Sequence, residues 1–300
     1  MRHLLGLKDL SPEQITEILD TAESMKKLLL QNVKKLPQMQ GRTVITLFYE
    51  NSTRTRVSFE LAAKYMSAVA VNMSASSSSV SKGETLIDTG KTLDAMKTDV
   101  IVMRHPLSGA PHLLAKNVNA SIVNAGDGIN EHPTQALLDM FTLRESLGTL
   151  NGVKVAIVGD ILHSRVAKSN VFGLTKMGAE VCLYSPSTLA LPFDKLGAKV
   201  SKTREDALRG ADALMGLRIQ LERQKGGLFP SISEYNRYYG VGEKEMALAK
   251  SNAIVMHPGP VNRGVEMSSA VIDSPESMIN TQVLNGVAVR MAVFFLLTRK

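Results

Sequence analysis

Short β-rich runs, each followed by a stretch with helical spacing, recur in two series along this chain, and that alternation restricts the fold more than any other feature. The first series holds Thr43–Phe48, Ala68–Asn72, Val100–Met103 and Ser121–Val123, with helical patterns over 53–66, 84–96, 109–116 and 133–147. The second holds Val153–Val158, Glu180–Tyr184, Ala213–Met215 and Ala253–Met256. Strands alternating with helices predict parallel sheets covered on both faces. The expected fold class is therefore α/β, with two doubly wound parallel-sheet domains and a site in the cleft between them. The expected division is 1–133 and 134–280, joined near Glu131 to Gly152, with a C-terminal helix of about 281–300 that is apolar enough to dock on either domain and is assigned to the first. Ser11-Pro12-Glu13-Gln14 predicts an additional N-terminal helix, with Ser as N-cap, Pro at the first position and Gln closing a capping box. The serine-rich run 74–81 reads as a mobile loop.

Three hundred residues, 44% hydrophobic and 21% charged, suffice for two cores and argue against disorder. The most apolar run, Val287 to Leu297, is interrupted by Arg290 and reads as a packed helix, so no membrane partner is expected. The N-terminus lacks a secretory pattern and Cys182 is the single cysteine, so the expected location is cytoplasmic. A net charge of +7 favours anionic partners. The basic residues are dispersed and Trp is absent, which points to small acids and away from nucleic acid.

Ligands of open α/β sheets bind beyond the carboxyl ends of the strands. The first series ends in Glu50 and Ser52-Thr53-Arg54-Thr55-Arg56, in Arg104 and His105, and in the segment from Asn124 to His132 and Gln135. The second ends in Asp160 and Arg165, in Arg218 and Gln220, and in His257-Pro258-Gly259-Pro260, where a cis peptide before Pro260 fits the paired prolines. Ser52 is read as the N-cap of a helix whose first-turn amides and positive dipole end face outward. The hydroxyls of Ser52, Thr53 and Thr55 and the Arg54 guanidinium complete a phosphate cradle. Arg56 is read as a surface ion pair with Glu60, one turn on.

Other chemistries lack their signals. No Walker A sequence or G-x-G-x-x-G is present, the six histidines show no paired ligand spacing, and Cys182 lies within a strand pattern. No metal and no organic cofactor is expected.

Ser-Thr-Arg-Thr-Arg (52–56), Lys-Gly-Glu-Thr (82–85), Met-Arg-His-Pro (103–106), His-Pro-Thr-Gln (132–135) and His-Pro-Gly-Pro (257–260) follow one another in order. This set resembles the aspartate/ornithine carbamoyltransferase family over essentially the whole chain. The Lys82 loop and His-Pro-Gly-Pro are similar to the aspartate branch, and Arg165 and Arg218 would repel the side-chain ammonium of ornithine.

The resemblance implies transfer of the carbamoyl group from carbamoyl phosphate to L-aspartate, in pyrimidine synthesis. It implies that Ser52, Thr53, Arg54, Thr55 and Arg104 hold the phosphate and that Thr55, Arg104 and His132 point at the carbonyl oxygen. Gln135 and the backbone around Pro258, Gly259 and Pro260 would hold the carbamoyl NH2, and Arg165, Arg218 and Gln220 would bind aspartate. Ser78 and Lys82 would come from an adjacent subunit, which implies a homotrimer, with a regulatory chain or a dihydroorotase as further partners. Glu50, Glu222 and Arg223 would pair to hold the two domains closed.

Overall fold

The computed structural model describes residues 1–74, 83–190, 193–219 and 231–299. The chain divides into two compact units, Met1–Leu138 with Leu284–Lys300, and Asp139–Val283. In the first, strands β1 (Thr43–Phe48), β2 (Val69–Ser74), β3 (Val100–His105) and β4 (Ser121–Asp127) form a parallel sheet in the order β2-β1-β3-β4. Its helices are α1 (Pro12–Leu29), α2 (Thr53–Tyr65), α3 (Leu86–Ala95) and α4 (Ala110–Ala115), followed by α5 (Pro133–Leu147), which begins here and runs past the division at Leu138.

In the second unit, β5 (Lys154–Val158), β6 (Glu180–Tyr184), β7 (Lys199–Val200), β8 (Ala213–Gly216) and β9 (Ile254–Met256) are again all parallel, in the order β7-β6-β5-β8-β9. The helices here are α6 (Arg165–Lys176), α7 (Arg204–Leu208), α8 (Ile232–Tyr239), α9 (Glu243–Met246) and α10 (Ser269–Ile272). The last helix, α11 (Ile279–Thr298), starts in the second unit and continues into the first.

The α1 entry follows from its sequence: Ser11 accepts from the Gln14 amide, Gln14 answers to the Ser11 amide, and Ile15, Ile18, Leu19 and Ala22 are buried at helical spacing. In the first unit, Ile45, Leu47, Ile101, Met103 and Ile122 of the sheet pack with Leu93 of α3 and Leu114 of α4. Gly90 permits the approach of those helices, because a Cβ there would stand 2.2 Å from a Leu114 methyl. In the second, Ala156, Val158, Leu214 and Val255 pack with Leu208 of α7 and Val271 of α10.

Twenty residues make α11 longer than the apolar run in the sequence, and long enough to cross a bilayer. Yet 67% of its most apolar stretch is buried inside the protein. Its C-terminal part packs on the first unit, where Phe294 meets Phe59 of α2 with ring centroids 5.8 Å apart. Arg290 is covered too, with its guanidinium 4.8 Å from the Phe59 ring centre and Nη1 donating to Ser58 Oγ at 2.7 Å. Stacking and a hydrogen bond allow that cation to sit inside a helix contact.

The two sheets share one device at the amino ends of their strands. Asp99, just before β3, accepts from the Thr43 amide at the start of β1 at 2.8 Å and pairs with Arg42 at 2.7 Å. Asp212, just before β8, accepts from the Lys154 amide at the start of β5 at 2.9 Å and pairs with Lys250 at 2.6 Å. Burial alone would raise the Asp212 carboxyl, but Lys250 and the Lys154 amide outweigh it and hold its pKa below the usual value. Each aspartate fixes the register of the central strand pair, leaving the carboxyl ends open for chemistry.

Candidate functional site

In the first sheet the chain leaves β1 toward β2 on one side and reaches β3 on the other, so the topological switch point lies between β1 and β3. Phe48 pairs with Arg104 across that point, and the Tyr49 amide donates to the Arg104 carbonyl at 2.9 Å. The β1–α2 turn and the end of β3 are thereby side by side. Glu50 joins them, its Oε2 lying 3.1 Å from Arg104 Nε. A carboxylate on Nε fixes the plane of the guanidinium fork.

Ser52 stands at the N-cap position of α2, but its side chain makes no cap hydrogen bond, contrary to the reading from sequence. The first bond of the helix runs from the Arg56 amide to the Ser52 carbonyl at 3.1 Å, so the amides before it find no acceptor within the helix. An uncapped start whose hydroxyl is uncommitted to its own helix suits an incoming anion better than a capped one. Thr53 and Arg54 are exposed, and Ser52 and Thr55 half-buried.

The expected Arg56–Glu60 pair is not formed. Glu60 instead binds Lys64 at 2.6 Å and Asn72 at 2.7 Å, and these bonds hold its pKa low. Arg56 adds only a longer-range charge.

His132 and Gln135 open α5 and are both buried, with the Gln135 amide donating to the His132 carbonyl at 3.0 Å. The turn before them is held by Asp127 at the end of β4. Its Oδ2 accepts from the Gly109 amide at 2.7 Å, while Oδ1 accepts from the Glu131 amide at 3.1 Å and Asn124 Nδ2 at 2.8 Å. Glu131 in turn accepts from the Leu7 amide at 2.7 Å, which ties the N-terminal segment beneath the turn. His105 meets the Tyr49 ring at 4.7 Å between centroids, the planes tilted by 56°, and its Nδ1 accepts from the Leu107 amide. Burial pulls its pKa down.

The second sheet changes direction between β5 and β8. Gly159, just after β5, has φ +138°, and a Cβ there would lie 2.7 Å from the Leu217 carbonyl oxygen, so the chain beyond β5 and β8 approaches as only glycine permits. Asp160 follows it, fully buried, with an oxygen 3.0 Å from His163 Nδ1. Ser164 caps α6 by accepting from the Ala167 amide, which puts Arg165 at the first helical position, buried. Arg218 leaves β8 two residues past its end and is half-buried. Both arginines thus follow the strand ends at this sheet's switch point, Arg165 at the start of α6 and Arg218 in the segment after β8.

At the end of β9, His257 Nδ1 accepts from the Gly259 amide at 2.8 Å and its Nε2 lies 3.4 Å from Glu266. The peptide between Gly259 and Pro260 is cis, and Gly259 has φ +66°. Cys182 lies buried in β6, and burial pushes its thiol up to about 11, which makes it a poor nucleophile. Ser78, Lys82, Gln220, Glu222 and Arg223, and the serine-rich run beyond Ser74, lie outside the described residues.

Two family models divide the chain between them: the carbamoyl-phosphate-binding domain of aspartate/ornithine carbamoyltransferases matches residues 2–145, and the aspartate/ornithine-binding domain matches 151–297. The chain belongs to the aspartate/ornithine carbamoyltransferase family. Among its curated relatives, the aspartate carbamoyltransferase catalytic subunit of Ruminiclostridium cellulolyticum is 65% identical over 300 residues, covering 100% of this chain and 96% of that one. The Acetivibrio thermocellus catalytic subunit shows the same identity and coverage.

Among solved carbamoyltransferases, aspartate transcarbamoylase of Trypanosoma cruzi in complex with N-(phosphonacetyl)-L-aspartic acid superposes with a TM-score of 0.89. It is 31% identical, over 98% of this chain and 95% of that chain. Ornithine carbamoyltransferase of Pyrococcus furiosus fits equally well, at TM-score 0.88 and 30% identity over 98% and 96%. The carbamoyltransferase fold therefore does not distinguish the amino-acid acceptor, which leaves that choice to side chains in the second unit.

Proposed function

We propose that this protein is an aspartate carbamoyltransferase, which moves the carbamoyl group of carbamoyl phosphate to the amine of L-aspartate and releases phosphate. The observation that carries the proposal is the pair of arginines, Arg165 and Arg218, at the switch point of the second sheet. Two cationic forks answer the two carboxylates of aspartate and would repel the side-chain ammonium of ornithine, and in this reading Gln220 completes the aspartate-binding set. The full-length similarity to aspartate carbamoyltransferase catalytic subunits points the same way.

In this reading Ser52, Thr53, Arg54 and Thr55 receive the phosphate at the uncapped start of α2, with Arg104 alongside. Thr55, Arg104 and His132 donate to the carbonyl oxygen as it gains negative charge, while Gln135 and the carbonyls around Gly259 and Pro260 accept from the carbamoyl NH2. The amine attacks the carbonyl carbon, the bond to phosphate breaks, and the departing phosphate takes the amine's proton, so no separate protein base is required. Ser78 and Lys82 are supplied by an adjacent chain of a homotrimer, which acts in the cytoplasm in the pyrimidine pathway.

Thr55→Ala and Arg104→Ala are expected to lower kcat by on the order of a hundredfold each. Arg165→Ala is expected to raise the KM for aspartate far more than that for carbamoyl phosphate. An Arg165→Ala enzyme with unchanged aspartate KM would refute the assignment.

A further inference from the structure

Asp139 is a fully buried carboxylate in α5, within the second unit, to which the proposed chemistry gives no part. Its Oδ1 accepts from Gln282 Nε2 at 2.8 Å, and its Oδ2 accepts from Asn170 Nδ2 of α6 at 2.8 Å. The other end of the Gln282 amide is also committed, since Oε1 accepts from the backbone N–H of His257 at 2.9 Å. Gln282 is itself buried. The relay thus runs from Asn170 and Asp139, through one side-chain amide, to the first residue of the His257-Pro258-Gly259-Pro260 turn.

The direction of the amide follows from chemistry. A backbone N–H only donates, so the amide oxygen of Gln282 must face His257, and its NH2 must then face Asp139. The second clamp on the turn is the Gly259 amide donating to His257 Nδ1, which assigns the ring proton to Nε2 on the side of Glu266. Pro258 and Pro260 have no N–H, so these two bonds engage the His257 and Gly259 amides.

We propose that Gln282, oriented by Asp139, is a positioning residue for this turn and thereby sets the affinity for the carbamoyl donor. The inference rests on the reading that the turn's carbonyls hold the carbamoyl NH2. A buried amide of this kind holds a backbone segment more stiffly than packing alone, because removing it strands the His257 N–H.

The test is steady-state kinetics on the full-length enzyme, with melting temperatures measured in parallel. Gln282→Met keeps the length of the side chain and removes both bonds. It is expected to raise the KM for carbamoyl phosphate about tenfold or more, with the aspartate KM changed by less than about twofold. Asp139→Asn removes the obligate acceptor and lets the amide turn over, so it is expected to give the same split in smaller measure, and it carries the test should Gln282→Met not fold.

A folded variant with a lower melting temperature but wild-type KM for carbamoyl phosphate would overturn the proposal and leave Gln282 a purely structural residue. Gly259→Ala separates the underlying reading, since it disturbs the turn directly at a left-handed backbone position. If Gly259→Ala raises the carbamoyl phosphate KM and the Gln282 and Asp139 variants do not, only the positioning role fails. If Gly259→Ala leaves it unchanged, the donor does not contact the turn and the site reading itself fails.

Discussion

Replacing Asp127 by Asn changes one atom in a fully buried carboxylate and should cost more than that suggests. Every hydrogen-bond partner the structure gives this side chain is a donor: the Gly109 and Glu131 amides, and the side-chain NH2 groups of Asn124 and Asn130. An Asn at 127 must turn its own NH2 toward one side. Facing Gly109, it strands that amide; facing the other way, it strands the Glu131 amide and Asn124 together. A buried donor left without an acceptor costs about 1–3 kcal/mol, so the cheaper orientation predicts a loss of about 1–3 kcal/mol. Asp127→Ala strands both backbone amides, for roughly 2–6 kcal/mol.

The turn that Asp127 holds leads directly into His132, so carbamoyl transfer should fall as well. A displacement of about 1 Å at such a group can cost on the order of a hundredfold. Chemical denaturation with parallel kinetics measures both, and hydrogen exchange at the Glu131 amide localises the effect. If Asp127→Asn unfolds within about 0.5 kcal/mol of wild type and keeps full activity, the network is not what holds the turn.

Two further outcomes are expected. His3 and His105 both have pKa values lowered by burial from 6.5. The unfolded chain therefore binds protons that the folded one refuses, and stability should decline as pH falls from about 6.5 through the lowered folded values. His105→Gln should flatten part of that decline in melting temperature against pH, and an unchanged profile would contradict the assignment to His105. Arg54→Ala and Lys82→Ala should each be inactive alone yet recover part of the activity when the two variants are mixed and reassembled, because the proposed site takes groups from two chains. No recovery in verified mixed oligomers would count against the shared site.

Both parallel sheets are legible in the sequence because their central strands are nearly unbroken apolar runs, as Val100–Met103 and Val153–Val158 show. The candidate residues are legible for a related reason: polar side chains that follow such runs fall at the carboxyl rim. Signals without an apolar run are weaker, and the two-residue strand Lys199–Val200 carries none.

What escapes the sequence is the choice of partner. Ser52 has the residue type of an N-cap and leaves its own helix uncapped, and Glu60 chooses Lys64 and Asn72 over Arg56. In each case several partners satisfy the local spacing, and only packing decides among them. Bonds such as Leu7 to Glu131 and Gln282 to Asp139 join residues more than a hundred positions apart, and no local pattern announces them. Asp99 and Asp212 do the same work in two sheets without any sequence repeat around them, because a register lock needs only one carboxylate before a strand.

The claim that two arginines select an acidic acceptor is tested most directly by steady-state assay of the purified protein with carbamoyl phosphate and either L-aspartate or L-ornithine. Turnover with aspartate alone, giving N-carbamoyl-L-aspartate and phosphate in equal amounts, is the expected result. Turnover with ornithine alone would contradict it.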